Sequence, residues 1–181
     1  MPARNKNAVR AEVVIDASIR ARSRDGLVPL VLAAAEAALD AEHSAGPDRV
    51  TVMLSGNERL RALNLEFNGL DEVTDVLSFN ETDGWSDGVP PAEADSFPGR
   101  RQPRLGDIAI SVPQVERQAK TAHVPFQQEL AMLTVHGVLH LLGYDHATPS
   151  TEQVMNEKTE RILTTVMARA GAASGLKASA N

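Results

Sequence analysis

Residues 136–146 read HGVLHLLGYDH and place three of the chain's five histidines close together. His136 and His140 are four residues apart, so in a helix their side chains project from the same face, one turn apart. Between Leu130 and Leu142 the remaining residues are almost all apolar, so the helix would be apolar all round. This pattern is typical of a buried helix. The stretch therefore predicts a central buried helix that carries two histidines.

The same stretch predicts a metal site. A buried polar group without a partner costs roughly 1–3 kcal/mol, so two imidazoles in an apolar helix need a ligand. Gly143 can adopt a positive φ, which ends the helix and brings His146 to a third ligand position. Three imidazoles with an open fourth position form the catalytic type of zinc site. We therefore expect His136, His140 and His146 to hold one Zn²⁺ per chain, with a metal-bound water as the catalytic group.

This spacing also occurs in the metzincin peptidases, HExxHxxGxxH, in which the glutamate after the first histidine is the general base. Here that position is Gly137. A peptidase of that design would lack the group that deprotonates its water, so the ligand spacing does not predict peptidase chemistry.

The composition of the 181-residue chain restricts the classes of function. The chain has no cysteine, so a metal must be held by histidine and carboxylate side chains. Its net charge of −6 argues against coating nucleic acid through bulk charge. The N-terminal sequence MPARNKNAVR lacks the apolar core of a secretory signal, and no apolar run approaches the roughly 18 residues of a membrane span. We expect a cytoplasmic protein with no membrane association.

Outward from the histidines, the pattern predicts an α+β fold with a small mixed sheet of about four strands packed by about five helices. Strands are predicted over residues 11–19, 49–55, 74–80 and 105–111. Helices are predicted to begin at Leu27, Asn57, Pro113, Pro125 and about Ser150. We expect one metallo-hydrolase domain over 1–170, a flexible loop insertion over 83–104 and a disordered tail over 171–181.

The second helix carries two further expectations. Asn57 is the expected N-cap, because its side chain can accept from an amide of the first turn. Leu60, Leu63 and Phe67 are expected to face the interior.

HGVLHLLGYDH resembles the signature of the YbeY family of metal-dependent endoribonucleases, which are linked to ribosomal RNA maturation and ribosome quality control in bacteria. The resemblance includes LNLEFNGLDEVTDVLSF (63–79), LGDIAIS (105–111) and MNEKTERIL (155–163), and it covers roughly residues 48–167. It implies an α+β fold with one zinc ion on the three histidines. It also implies a single-stranded RNA substrate, notably near the end of small-subunit ribosomal RNA, with ribosomal particles and ribosomal proteins as further partners.

The chain departs from the family pattern at two positions. Asn68 stands where the family usually has an arginine that is thought to contribute to activity, and Asn80 stands where it has a proline after LSF. An arginine offers a fixed fork of donors to a phosphate, whereas asparagine brings no charge. Phosphate contacts could come instead from three arginines of the predicted loop, Arg100, Arg101 and Arg104. The competing interpretation is that the loop is a solvated linker and that these arginines are incidental.

Five polar residues of the matching segments are candidates for lining the metal pocket or for accepting a hydrogen bond from a ligand histidine. Turn and cap chemistry accounts equally well for Thr74 and Asp75, while Asp145 is favoured by its place beside a ligand. The five residues are Thr74, Asp75, Ser78, Asp107 and Asp145.

Several alternatives stay open at this point. Zinc lowers the pKa of a bound water to about 7, or it stabilises a phosphoryl oxygen while the 2′-hydroxyl of the RNA attacks. Imidazole also suits metals other than zinc. A metal-dependent hydrolase of a small molecule or peptide is favoured by the acidic net charge. A catalytically weak, zinc-bearing ribosome-associated factor is suggested by Asn68.

Overall fold

The computed structural model describes residues 10–19, 26–42, 49–80 and 104–178. Within these ranges the strands are β1 (Ala11–Ile15), β2 (Arg49–Ser55), β3 (Val76–Asn80) and β4 (Arg104–Ser111). The helices are α1 (Leu27–Glu42), α2 (Asn57–Asn68), α3 (Val112–Ala122), α4 (Phe126–Leu141) and α5 (Pro149–Ala178). The predicted α+β class is confirmed. Most of the predicted loop insertion, including Arg100 and Arg101, lies outside the described residues.

The four strands form one mixed sheet in the order β1-β2-β4-β3. β1 and β4 run parallel to β2, whereas β3 pairs with β4 in the antiparallel direction and forms an edge of the sheet. The two central strands are β-branched and apolar, with Val52, Ile108 and Ile110 almost fully buried. In β4 every residue from Gly106 to Ser111 is buried, as expected where helices cover both faces of a sheet.

Helix α4 lies at the centre of the molecule, in contact with β3, β4, α1, α3 and α5. Leu130, Val135, Val138 and Leu139 are fully buried, which confirms the predicted buried helix. At Gly137 an added Cβ would lie 2.9 Å from Ile108 Cγ2. The helix therefore packs so closely on the sheet that this position has no room for a side chain.

Helix α2 covers the opposite face of the sheet. Its Leu60 and Leu63 pack against Phe79 and Ala109, which alternate along their strands with residues that face α4. Phe67 differs from the expectation: its ring packs on Phe79, with centroids 4.8 Å apart, yet the residue is 37% exposed. The last turn of α2 lies over an edge strand, so less of the sheet is available to cover it.

The predicted capping role of Asn57 is wrong. Gly56 occupies the N-cap position without a side-chain hydrogen bond. Asn57 Oδ1 instead accepts from Ser111 Oγ at 2.7 Å and from Gln114 Nε2 at 3.0 Å. The residue thus joins the start of α2 to the start of α3, a long-range role that its local sequence does not reveal.

Two element boundaries also differ from the predicted ones. β1 ends at Ile15 because Asp16 Oδ1 accepts from the amide of Ser18 at 2.7 Å, which forms a turn. α5 continues to Ala178, beyond the end expected at residue 170 and into the segment expected to be a disordered tail. The alanine-rich sequence there has a high helix propensity. None of the helices described above combines the length and apolar composition of a membrane span.

Candidate metal centre

Three histidines meet at the C-terminal end of α4. One ring nitrogen from each of His136, His140 and His146 lies within 4.8 Å of the others. The Nε2 atoms of His136 and His140 are 3.1 Å apart. Two nitrogens bound to one tetrahedral zinc at 2.0–2.1 Å would be about 3.3 Å apart. The His136–His140 pair thus has about the spacing that one ion requires, and the three rings together form a group that could hold a metal ion.

The turn after α4 brings His146 to the two helical histidines. Gly143 has a φ of +90°, and its amide donates to the His140 carbonyl at 2.9 Å. The amide of Tyr144 donates to the Leu139 carbonyl at 3.0 Å. These two bonds form a Schellman motif, which needs a left-handed residue at this position. The predicted chain reversal at Gly143 is confirmed.

Tyr144 connects this turn to the rest of the protein. Its carbonyl accepts from His140 Nδ1 at 3.0 Å, which fixes the ring and leaves Nε2 for a metal. Its phenol donates to Glu42 Oε2 at 2.5 Å, and Lys158 Nζ donates to Glu42 Oε1 at 2.8 Å. Glu42 of α1 and Lys158 of α5 therefore fix the position of the turn through the Tyr144 side chain.

Sequence reasoning favoured Asp145, not Tyr144, as the acceptor beside a ligand histidine. In the structure Asp145 Oδ1 accepts from the amide of Ala147 at 3.1 Å, so its hydrogen bond stabilises the turn. The acceptor for His140 is a backbone carbonyl. Any residue type supplies a carbonyl, so the side-chain pattern contained no signal for it.

Two of the three histidines, His136 and His140, have pKa values below the ordinary value of 6.5 and are uncharged at neutral pH. Burial, followed by the proximity of His140 and His146, lowers the pKa of His136 to about 4, although Asp75 acts in the opposite direction. Burial also lowers the pKa of His140. A metal binds the neutral form of imidazole, so these rings are ready for ligation without losing a proton.

The histidines open onto a cleft of about 780 Å³ between α4 and the edge strand β3. Asp75, Ser78 and Asn80 line the β3 side, Met132 lines the α4 side, and Asn68 lies at the end of α2. The site thus combines a histidine cluster with an open cleft that polar side chains line.

Of the five polar candidates, the structure brings Asp75 and Ser78 to the cleft. Asp75 accepts from the Val76 amide through Oδ1 and from Gln118 Nε2 through Oδ2, each at 2.8 Å. Ser78 Oγ donates to the Gly137 carbonyl at 3.3 Å. Thr74 Oγ1 donates to Asp75 Oδ1 at 3.2 Å, so it supports the carboxylate at the cleft.

Arg104 and Asp107 lie elsewhere. Arg104 begins β4, where it forms an ion pair with Asp107 and donates to Thr51 Oγ1 at 2.5 Å. Neither residue is among those that line the cleft. Arg104 belongs to a strand and not to the preceding loop, so its guanidinium binds side chains at the end of the sheet.

Asn68 lies at the cleft and carries no charge. It lines the cleft, and its Nδ2 donates to Asn64 Oδ1 at 2.9 Å. Asn64 is buried and donates in turn to the Glu72 carbonyl at 3.0 Å. Two consecutive hydrogen bonds, through Asn64 to the Glu72 carbonyl, therefore fix the side chain of Asn68.

The comparisons with known proteins agree with this site. A sequence model of the family described as Endoribonuclease YbeY matches residues 16–167. The chain is 41% identical to Endoribonuclease YbeY of Brevibacillus brevis and 39% identical to that of Desulforamulus reducens, in each case over 77% of this chain and 86% of the relative. The solution structure of TM1509 from Thermotoga maritima has a similar fold, with a TM-score of 0.57 and 24% identity over 90% of this chain and 92% of that one. The chain belongs to the YbeY family of endoribonucleases.

Proposed function

We propose that this protein is a zinc-dependent endoribonuclease that cleaves single-stranded RNA and acts in ribosomal RNA maturation and ribosome quality control. The observation that carries the proposal is the three-histidine cluster, which opens onto a cleft of about 780 Å³. The family to which the chain belongs supports the endoribonuclease activity. Binding to ribosomal particles and ribosomal proteins, and a cytoplasmic location, belong to the same proposal.

The residues present fit a zinc ion. All three donors are imidazoles, the chain has no thiolate to close the site, and the rings lie beside open space. When bound, zinc supplies Lewis-acid catalysis, either by activating water or by stabilising charge on a phosphoryl oxygen. His136, His140 and His146 would hold the ion. Nickel or another ion that prefers imidazole would fit the same donors, and elemental analysis distinguishes them.

The remaining chemistry rests on the protein's own groups. The Tyr144 carbonyl holds His140 in the orientation that presents Nε2. Asp75 places a carboxylate at the cleft, fixed by two hydrogen bonds, and can orient a donor group of the substrate. Gly137 lies between the histidines but faces the sheet, so no acid or base acts from that position.

The test is cleavage of single-stranded RNA by the purified, untagged protein, with and without a chelator, beside a panel of peptides. We expect metal-dependent cleavage of RNA and none of peptides. Loss of activity in a His136→Ala, His140→Ala double variant is the necessary control against contaminating nuclease. A protein that cleaves peptides, or that cuts RNA equally well with the chelator present, would contradict the proposal.

A substrate with a single 2′-deoxy nucleotide at the cleaved position separates the two routes of attack. Cleavage that persists requires water as the nucleophile, whereas cleavage that stops requires the 2′-hydroxyl.

A catalytically weak, zinc-bearing ribosome-associated factor is the second candidate. It is favoured by Asn68, which places a neutral amide in the cleft where the family pattern has an arginine. Protein that holds metal and binds ribosomal particles but cuts no RNA would support this candidate.

A further inference from the structure

The edge strand β3 presents backbone hydrogen-bonding groups to the cleft. The amide of Ser111 donates to the carbonyl of Asp75 at 2.8 Å, and these residues are opposite each other in the antiparallel register. In such a ladder alternate residues bond to the partner strand. Asp75, Leu77 and Phe79 therefore face β4, while the N–H and C=O groups of Ser78 and Asn80 point away from it.

The side chains of Ser78 and Asn80 share the face that is turned toward α4. Ser78 Oγ reaches the Gly137 carbonyl of that helix, and both residues line the cleft beside the histidines. The outward amide of Val76 is already bonded to Asp75 Oδ1. Among the described residues of this edge, the donors that remain are the N–H groups of Ser78 and Asn80, about 6.8 Å apart along the strand.

Asn80 adds a side-chain amide to these backbone donors. Within the part of the chain that the structure describes, its carboxamide forms no hydrogen bond, although it lines the cleft. A carboxamide presents an N–H donor and a C=O acceptor side by side. That arrangement matches the Watson–Crick edge of an unpaired base, which is exposed in single-stranded RNA and hidden in a duplex.

Building on the proposed function, we propose that Asn80 is a base-reading residue. Its carboxamide bonds to the edge of one nucleotide of a single strand that lies along β3, and the outward N–H of Asn80 contacts the same nucleotide. The family pattern has proline here, which has neither group. The contact is thus a property of this chain.

Three substitutions separate the two contacts. Asn80→Ala removes the carboxamide and keeps the N–H. Asn80→Pro removes both, and proline is tolerated where the N–H of an edge strand faces outward. Asn80→Asp keeps the shape but offers only acceptors. Asn156→Ala, an exposed position on α5, is the matched control.

The experiment measures kcat and KM of the zinc-loaded proteins on single-stranded oligonucleotides that vary in one base at each position around the cut. We expect Asn80→Ala to raise KM about threefold to tenfold, as loss of one neutral hydrogen bond does, with less change in kcat. Asn80→Pro should raise KM further. Asn80→Asp should shift the preferred base toward guanine, whose N1–H and N2–H₂ are adjacent donors. Asn156→Ala should behave as wild type.

The outcomes distinguish this inference from the function on which it rests. If wild type cleaves RNA and all three variants keep its KM and base preference, Asn80 does not read the substrate, and the β3 edge is left for another partner such as an extended peptide. If wild type with one equivalent of metal neither binds nor cuts RNA, both proposals fail. Unchanged metal content and circular dichroism in each variant show that the comparison concerns folded protein.

Discussion

At the scale of single residues, a left-handed glycine and a tyrosine carbonyl complete the histidine cluster. Gly143 reverses the chain at the end of α4, and the Tyr144 carbonyl fixes the ring of His140. An added Cβ at Gly143 would meet nothing within 4 Å. The need for glycine there comes from the backbone angle alone.

Removal of His146 tests the turn directly. We expect wild type to hold about one equivalent of a divalent metal, and His146→Ala to bind it much more weakly, because two imidazoles remain where three were needed. Elemental analysis and a competition titration with a chelator measure this. His123→Asn is the matched control, since His123 is exposed and its left-handed conformation suits asparagine. Full metal content and unchanged affinity in His146→Ala would show that the turn does not supply a ligand.

Position 68 tests the phosphate contact. Asn68→Arg should raise cleavage of single-stranded RNA about tenfold to a hundredfold, since a charge-assisted contact formed mainly in the transition state is worth roughly 1.5–3 kcal/mol. The slope of the logarithm of the RNA-binding constant against the logarithm of salt concentration should become steeper by about 0.7. Asn68→Gln, which adds length without charge, should show neither change. Efficient cleavage by wild type that the arginine does not improve would place phosphate recognition elsewhere, with Arg100 and Arg101 as the next residues to replace.

At the scale of elements, three helices converge on the turn that bears His146. Glu42 at the end of α1 accepts from Tyr144 and from Lys158 of α5. Lys158 Nζ also lies 4.8 Å from the centroid of the Tyr144 ring. The partly buried contact among Glu42, Tyr144 and Lys158 therefore links α1, the turn after α4 and α5, which are distant in sequence.

Glu42→Gln should reveal this tie in the pH dependence of stability. Burial would raise the pKa of Glu42, but hydrogen bonds from Lys158 and Tyr144 outweigh it and hold that pKa below its ordinary value of 4.5. The stabilisation is therefore present above that ordinary value and is lost as the pH falls through the folded-state pKa. We expect the variant to be less stable by about 1–3 kcal/mol at pH 7.

Denaturant titrations between pH 7 and pH 3 measure the difference, which should shrink toward the acid end. Asp40→Asn, which removes a 59% exposed partner of Arg10, should cost less than about 1 kcal/mol. A Glu42→Gln penalty that is constant with pH would show that the carboxylate charge is not involved.

The close approach of α4 to the sheet makes a second prediction for this scale. Gly137→Ala should lower the free energy of unfolding by about 1–2 kcal/mol, because its Cβ would crowd Ile108. Gly171→Ala on α5 has open space around it and should be neutral or slightly stabilising through helix propensity. Thermal unfolding of both variants checks this. A Gly137→Ala protein as stable as wild type would mean that helix and sheet move apart at little cost.

The elements that could be predicted from sequence are those whose signals are local. The apolar run of α4, the histidine spacing and Gly143 all lie within one stretch, so the helix, the turn and the meeting of the three histidines could be predicted from it. Asn57, Phe67 and Arg104 were misjudged because their surroundings come from other elements. The strand order β1-β2-β4-β3 was not predicted either, since no local pattern states which strand lies at the edge.

At the scale of the whole molecule, metal binding should contribute to global stability. The ligands come from α4 and from the turn that α1 and α5 hold in place. At free zinc 1,000-fold above Kd, binding adds about 4 kcal/mol, and each kcal/mol moves Tm by about 2–4 °C for a chain of this size. Chelation should therefore lower Tm by about 8–16 °C. The His136→Ala, His140→Ala variant should show no such shift; an equal shift in that variant would assign the effect to another site.

The strand order also has a consequence during synthesis on the ribosome. β4 pairs with both β2 and β3, yet it is translated after both of them, and α4 follows it. A nascent chain that ends before β4 holds β1 and β2 but lacks both the strand that joins them to β3 and the helix α4 that packs on the sheet, a state that invites chaperones. His136, His140 and His146 are translated later still, so the proposed metal would be captured only after all four strands have been synthesised.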